Sequence, residues 1–172
     1  MFKENSLCHH VCIFFICCVA GWLFEVVFRS AKAGALMIPG FLHGCYLPIY
    51  GFGALMLMFV FSKNKLFPGY VFIISFVLLT AFEYITHFAF DKIFDIRLWS
   101  YSAHFCNING RVSLEQSLLL GVGGTAYVYL IYPFLQKLLL RISERKIRFF
   151  AFCITVTLVF DFVFSALSAF FN

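Results

Sequence analysis

Five stretches of this chain are apolar over about the length that a lipid bilayer demands. An α-helix rises 1.5 Å per residue, so a hydrocarbon core of about 30 Å takes about 20 apolar residues. Windows of that kind lie at about 8–28, 46–62, 69–90, 114–135 and 149–171. Lipid supplies no partner for a backbone N–H or C=O, so such runs must close their own hydrogen bonds as helices. Composition agrees: 63% of the 172 residues are hydrophobic and 12% are charged, against about 25% charged in an ordinary soluble domain. No repeat or low-complexity linker divides the chain. The expected fold is therefore all-α, a polytopic membrane bundle of about five transmembrane helices forming one integral domain over residues 1–172. Pro68 suits the first turn of the third span, and Ser113 with Gln116 has the spacing of a capping box before the fourth.

The net charge of +5 does not point to nucleic acid, because the basic residues sit between apolar runs, where they act as topology signals and lipid contacts. Lys3, Lys63, Lys65, Lys137, Arg141, Arg145, Lys146 and Arg148 fall on one side of a five-span chain. Arg29, Lys32, Lys92, Arg97 and Arg111 fall on the other. The excess places the N-terminus in the cytoplasm and the C-terminus outside the plasma membrane. Ala31-Lys32-Ala33 resembles a cleavage site, but the apolar run before it is long and Glu25 and Arg29 interrupt the approach, so a first transmembrane helix is the expectation. The seven cysteines are an odd number, and most lie in apolar runs as small hydrophobes. Cys45 and Cys106 are the pair that loops could bring together.

The segment GFLHGCYLPIYGFG, residues 40–53, is too rich in glycine and proline for a good helix and too apolar for a watery loop. Irregular backbone at membrane depth survives only when buried in protein or lining a wet cavity. A re-entrant or tightly folded segment in the outer half of the bundle follows. The plainer alternative is a turn with Tyr46 and Tyr50 in an interfacial aromatic belt.

Ionisable residues collect on the same outer end. Glu25 and Arg29 are spaced for an i, i+4 ion pair. Glu83, His87, Asp91 and Asp95 recur every four residues, a near-stripe on a continuing helix. Carboxylate and imidazole suit a proton relay or a divalent metal, but the ligand set is incomplete and no metal is assigned. In the plainer reading His87 bonds Glu83 while Asp91 and Asp95 lie past the helix end. Intramembrane carboxylates are costly and mark sites or partners, which singles out Glu83 and Glu25, and Asp161 in the last span. Glu115 fits the helix dipole of span four. The loop LWSYSAHFCNINGR, residues 98–111, carries hydrogen-bonding groups, a turn signal at Asn109-Gly110, and arginines at its edges that could meet Glu25, Glu83 or an anionic ligand. Lys137, Arg141, Arg145 and Arg148 would share one face of an interfacial helix on anionic lipid. Gly121, Gly123 and Gly124 favour close helix packing.

The residues Gly21-Trp22, Glu25, Gly40-Phe41-Leu42-x-Gly44 and Leu47-Pro48-Ile49-Tyr50-Gly51-x-Gly53 together resemble the CmpB-like family called "Putative ABC-transporter type IV", small multi-span bacterial proteins described as permeases. The likeness continues at Glu83, Trp99-Ser100-Tyr101-Ser102, Asn107 to Arg111 and Gly121 to Gly124. Two departures stand out: the family usually has Gly-Pro at Gly44-Cys45, and Asp where this chain has Ser100. The resemblance implies a membrane transport component with a substrate or ion pocket in the outer half. Its candidate residues are Glu25, Glu83, His87, Gly40, Gly44, Pro48, Tyr50, Gly51, Trp99, Tyr101, Asn107, Asn109 and Arg111. No Walker A motif is present, so a separate ATPase subunit is the implied partner, with membrane lipids and a homo- or hetero-oligomer. No cofactor and no catalytic residue is assigned. The alternatives are an enzyme acting on a lipid or lipid-linked substrate, with Glu83 and His87 as acid and base and Arg97 or Arg111 holding a phosphate, or an accessory or sensor subunit without chemistry.

Overall fold

The structure is a computed structural model that describes residues 7–61 and 66–171. Lys3, Lys63 and Lys65, which carry part of the charge bias, lie outside the described residues. Those residues form five helices and no strand: α1 Leu7–Ala33, α2 Pro48–Phe61, α3 Pro68–Ile93, α4 Leu114–Leu139 and α5 Glu144–Phe171. Four of them, α1, α3, α4 and α5, are long and apolar enough to cross a membrane. Their outer faces agree with that: Leu23, Phe24, Val27, Ile73, Val77, Val159 and Phe160 are all exposed. A water-facing monomer rarely shows apolar surface on this scale. Polar side chains such as Glu25, Ser75, Glu83, His87 and Ser165 are buried. The chain is a multi-pass membrane protein.

The second span departs from expectation. α2 has 14 residues, about 21 Å of helix, and begins at Pro48 rather than 46. The backbone amides just before it are committed elsewhere, as described below, and Pro48 can only open a helix, having no N–H to donate within one. The other starts follow local chemistry. Phe67 is extended (φ −60°, ψ 141°) ahead of Pro68, the conformation that a following proline imposes. Ser113 accepts a hydrogen bond from the Gln116 amide at its side chain, which is half of the expected capping box. α3 ends where Asp95 takes φ 55°, so Asp95 leaves the helical stripe, whereas Asp91 remains on α3.

The fold divides into two compact units. The first comprises the residues up to Phe52 and those from Gln136. Here α1 and α5 pack from their first turns: the Cys12 thiol lies 4.0 Å from the Ile147 carbonyl, and His9 Nε2 4.0 Å from Glu144. Residues 34–47 are not helical. Leu47 N–H donates to the Cys18 carbonyl at 3.0 Å. Cys18 precedes the end of α1 by about 22 Å of helix, so the segment returns deep alongside α1 before α2 begins. Gly51 permits that approach: a Cβ there would lie 2.5 Å from the Cys18 sulfur. The expected re-entrant segment is thus a non-helical return followed by a short helix.

The second unit comprises residues Gly53–Leu135. α4 runs back along α3. A Cβ on Gly121 would come within 2.7 Å of the Phe72 ring, and one on Gly124 within 2.6 Å of Ser75, so the small residues set the helix separation. Tyr129 donates to the Leu66 carbonyl just before α3. Residues Tyr127–Ile131 of α4 form a π-helical turn. Pro133 explains it: proline supplies no N–H and crowds the preceding turn, and a widened turn relieves both.

The basic segment between α4 and α5 is not one helix. α4 stops at Leu139 and α5 starts at Glu144, with Arg141 in the turn between them. Ser143 and the acidic Glu144 open α5, residues suited to a helix N-terminus. Lys137, Arg141, Arg145 and Arg148 therefore do not share a single helical face.

Candidate functional site

The charged residues near the end of α3 are organised by the loop that follows. In that loop Asn109 (φ 54°) and Gly110 (φ 67°) both adopt left-handed backbone. Arg111 N–H bonds the Ile108 carbonyl at 3.0 Å and Ile108 pairs with Val112. This is the two-residue turn that Asn-Gly favours. It returns Arg111 toward α3, where a terminal nitrogen meets Asp91 Oδ2 at 2.7 Å and the other approaches the Tyr84 hydroxyl at 3.4 Å. The guanidinium also lies over Tyr84 and Phe88, 5.5 and 5.2 Å from the ring centroids. The hydrogen bond it donates to Asp91 holds the Arg111 pKa above its ordinary value. Arg97 approaches the other Asp91 oxygen at 3.6 Å from an exposed position. Both arginines thus meet Asp91, where the expected partners were Glu25, Glu83 or an anionic ligand.

His87 is 3% exposed. Its Nε2 lies 2.8 Å from the Trp99 carbonyl, and the Trp99 indole donates to the Arg111 carbonyl at 2.8 Å. His87 therefore bonds the loop rather than Glu83. Glu83, also buried, accepts from the Tyr101 hydroxyl at 3.2 Å. Asn109 donates to Tyr84 at 2.9 Å. Asn107 braces the loop from within, donating to the His104 carbonyl at 2.9 Å and accepting from Gly110 at 3.0 Å. Glu115, in the first turn of α4, lies 3.2 Å from His104. His87, Asp91, Arg97, Trp99, Ser100, Asn109, Gly110 and Arg111 line a cavity of about 60 Å³.

The remaining candidates lie in the first unit. Glu25 is buried and takes the expected ion pair from Arg29 at 2.6 Å plus the Tyr50 hydroxyl at 2.7 Å. Tyr50 reaches it because Gly21 leaves room for its ring. Gly44 donates its amide to Asp161 at 2.9 Å, as His43 does at 3.1 Å, and Tyr46 donates its hydroxyl to the same carboxylate. Ser165 joins at 3.1 Å. Asp161 is therefore the anchor of the returning segment. His43 and Ser165 went unnoticed in the sequence, where a lone histidine and a lone serine carry no signal. Serine, histidine and aspartate meet here, but Nδ1 of His43 faces both Ser165 (2.8 Å) and Asp161 (3.5 Å). A hydrolytic relay needs one ring nitrogen for each. Gly40 has φ 130° and lies against Leu47, and Pro48 opens α2. Cys45 and Cys106 are free thiols.

A family model described as "Putative ABC-transporter type IV" matches residues 12–166. The chain belongs to this family. The match includes every residue of both constellations, and with the span-length helices it makes the protein a membrane transport component in general terms. No curated protein and no solved structure matches the chain.

Proposed function

We propose that this member of the type IV family is a permease-like subunit whose ligand or ion site is the cavity at the end of α3. The observation that carries the reading is that cavity: a buried histidine, an aspartate and two arginines around one small space, in a chain otherwise sparing of charge. Ionisable groups held at membrane depth mark substrate and ion paths. His87 and Glu83 are each gripped by the loop, which favours holding a ligand over a paired acid and base.

In this reading residues 34–61 form one crossing made of the non-helical return and the helix α2, so five crossings leave the termini on opposite faces. The basic excess then keeps the N-terminus cytoplasmic. Energy comes from a separate ATPase subunit, and five crossings call for an oligomer or hetero-complex to complete a pathway. Reconstitution tests this: vesicles holding the chain with its co-purified ATPase should show ligand-stimulated ATP hydrolysis that Arg111→Ala abolishes. Hydrolysis indifferent to that substitution would sink the assignment of the site.

A further inference from the structure

We infer that the cavity at the end of α3 takes a phosphate group that keeps one proton, either free phosphate or a phosphomonoester headgroup. The inference rests on the reading of this cavity as the ligand site. Hydrogen-bonding character selects the ligand. His87 Nε2 faces a carbonyl, which can only accept, so Nε2 carries a proton, and in the uncharged tautomer Nδ1 is left as an acceptor. Nδ1 is buried and has no hydrogen-bond partner among the described residues. Arg111 Nε is a buried donor, also without a partner there. Both residues line the same cavity. Buried polar atoms are rarely left unpaired. A ligand that completes the pair must bring an O–H for His87 and an anionic oxygen for Arg111.

Charge and size narrow the class. Arg97 and Arg111 face a single carboxylate, Asp91, so the lining carries one excess positive charge. That disfavours a metal cation and suits an anion. The cavity of about 60 Å³ has room for roughly four to six heavy atoms, at about 10–15 Å³ for each water-sized group. A phosphate group has that size. Sulfate and carboxylates match Arg111 but bring no proton to His87. Arginine's forked donors suit phosphate oxygens, and the Ser100 hydroxyl is at hand in the lining.

Trp99 lines the cavity and packs edge-on to His87 at 5.2 Å, so it can report occupancy. The chain has two tryptophans, and Trp22→Phe leaves Trp99 alone. The full-length variant in phosphatidylcholine nanodiscs is titrated with inorganic phosphate near neutral pH, where both of its ionic forms still carry an O–H. Sulfate and acetate at matched ionic strength serve as comparisons, and nanodiscs containing phosphatidic acid form a separate arm. The expected result is a saturable change in Trp99 emission with phosphate, at least tenfold weaker with sulfate. Arg97→Gln, at an exposed position that folding tolerates, weakens it about tenfold, and His87→Phe erases the preference for phosphate over sulfate. A response to phosphatidic acid alone supports the inference with the headgroup as source. Equal saturation by sulfate overturns the proton requirement while leaving the cavity as an anion site. Silence toward every anion and toward phosphatidic acid overturns the inference, and the ATPase measurement above judges the permease reading separately.

Discussion

Burying an imidazole in an apolar bundle is costly unless its nitrogens are engaged. His87 meets half of that demand, with Nε2 donating to the Trp99 carbonyl, and so ties the loop to α3. His87→Phe should cost about 1–3 kcal/mol, because the Trp99 carbonyl loses its donor; a thermal melt in detergent measures it, alongside faster proteolysis of residues 94–113. Tyr101→Phe deletes the hydroxyl that bonds Glu83 and should cost about 0.5–1.5 kcal/mol. An unchanged melting point in both variants would show that the loop is held by something else. At this scale the sequence was legible where spacing alone decides contact. Glu25 and Arg29 are one helical turn apart and do pair, and Asn109-Gly110 does form its turn. It was not legible where a partner arrives from a loop. Nothing local tells Arg111 to choose Asp91 over Glu83, since the choice depends on how far the turn carries the side chain back.

Helices in lipid gain little from hydrophobic contact with one another, so close packing of small residues decides which faces meet. Gly124 against Ser75 is such a contact. Gly124→Leu should separate α3 from α4 and destabilise by about 1–3 kcal/mol or more, seen as a lower melting point; Gly123→Leu, which faces open space, should leave it unchanged. In the other unit the returning segment hangs on Asp161. Asp161→Ala should accelerate hydrogen exchange at the His43 and Gly44 amides, which now donate to it, while exchange in α1 holds. Four long helices were readable because bilayer thickness fixes how many apolar residues a span needs. α2 is shorter than the expected second span: its apolar pattern continues through Tyr46 and Leu47, but the Gly44 and Cys18 carbonyls engage the amides there before a helix can form. The break before α5 escaped notice because a row of basic residues reads as one face until Ser143 starts a new helix.

For the whole molecule, the chain's membrane character follows from its composition, and its family from motifs spread over most of its length. Topology depends on whether the non-helical return and α2 together complete a crossing. If they do, reporter tags placed at the N- and C-termini are accessible from opposite faces of sealed vesicles; accessibility from one face would mean that residues 34–61 enter and leave on the same side. The central claim is that this chain works as the membrane subunit of a transporter powered by another protein. Native mass spectrometry of the protein extracted gently from its host's membranes tests that most directly. The account predicts a stoichiometric complex with an ATPase subunit. A chain that emerges alone, or only with copies of itself, would contradict it.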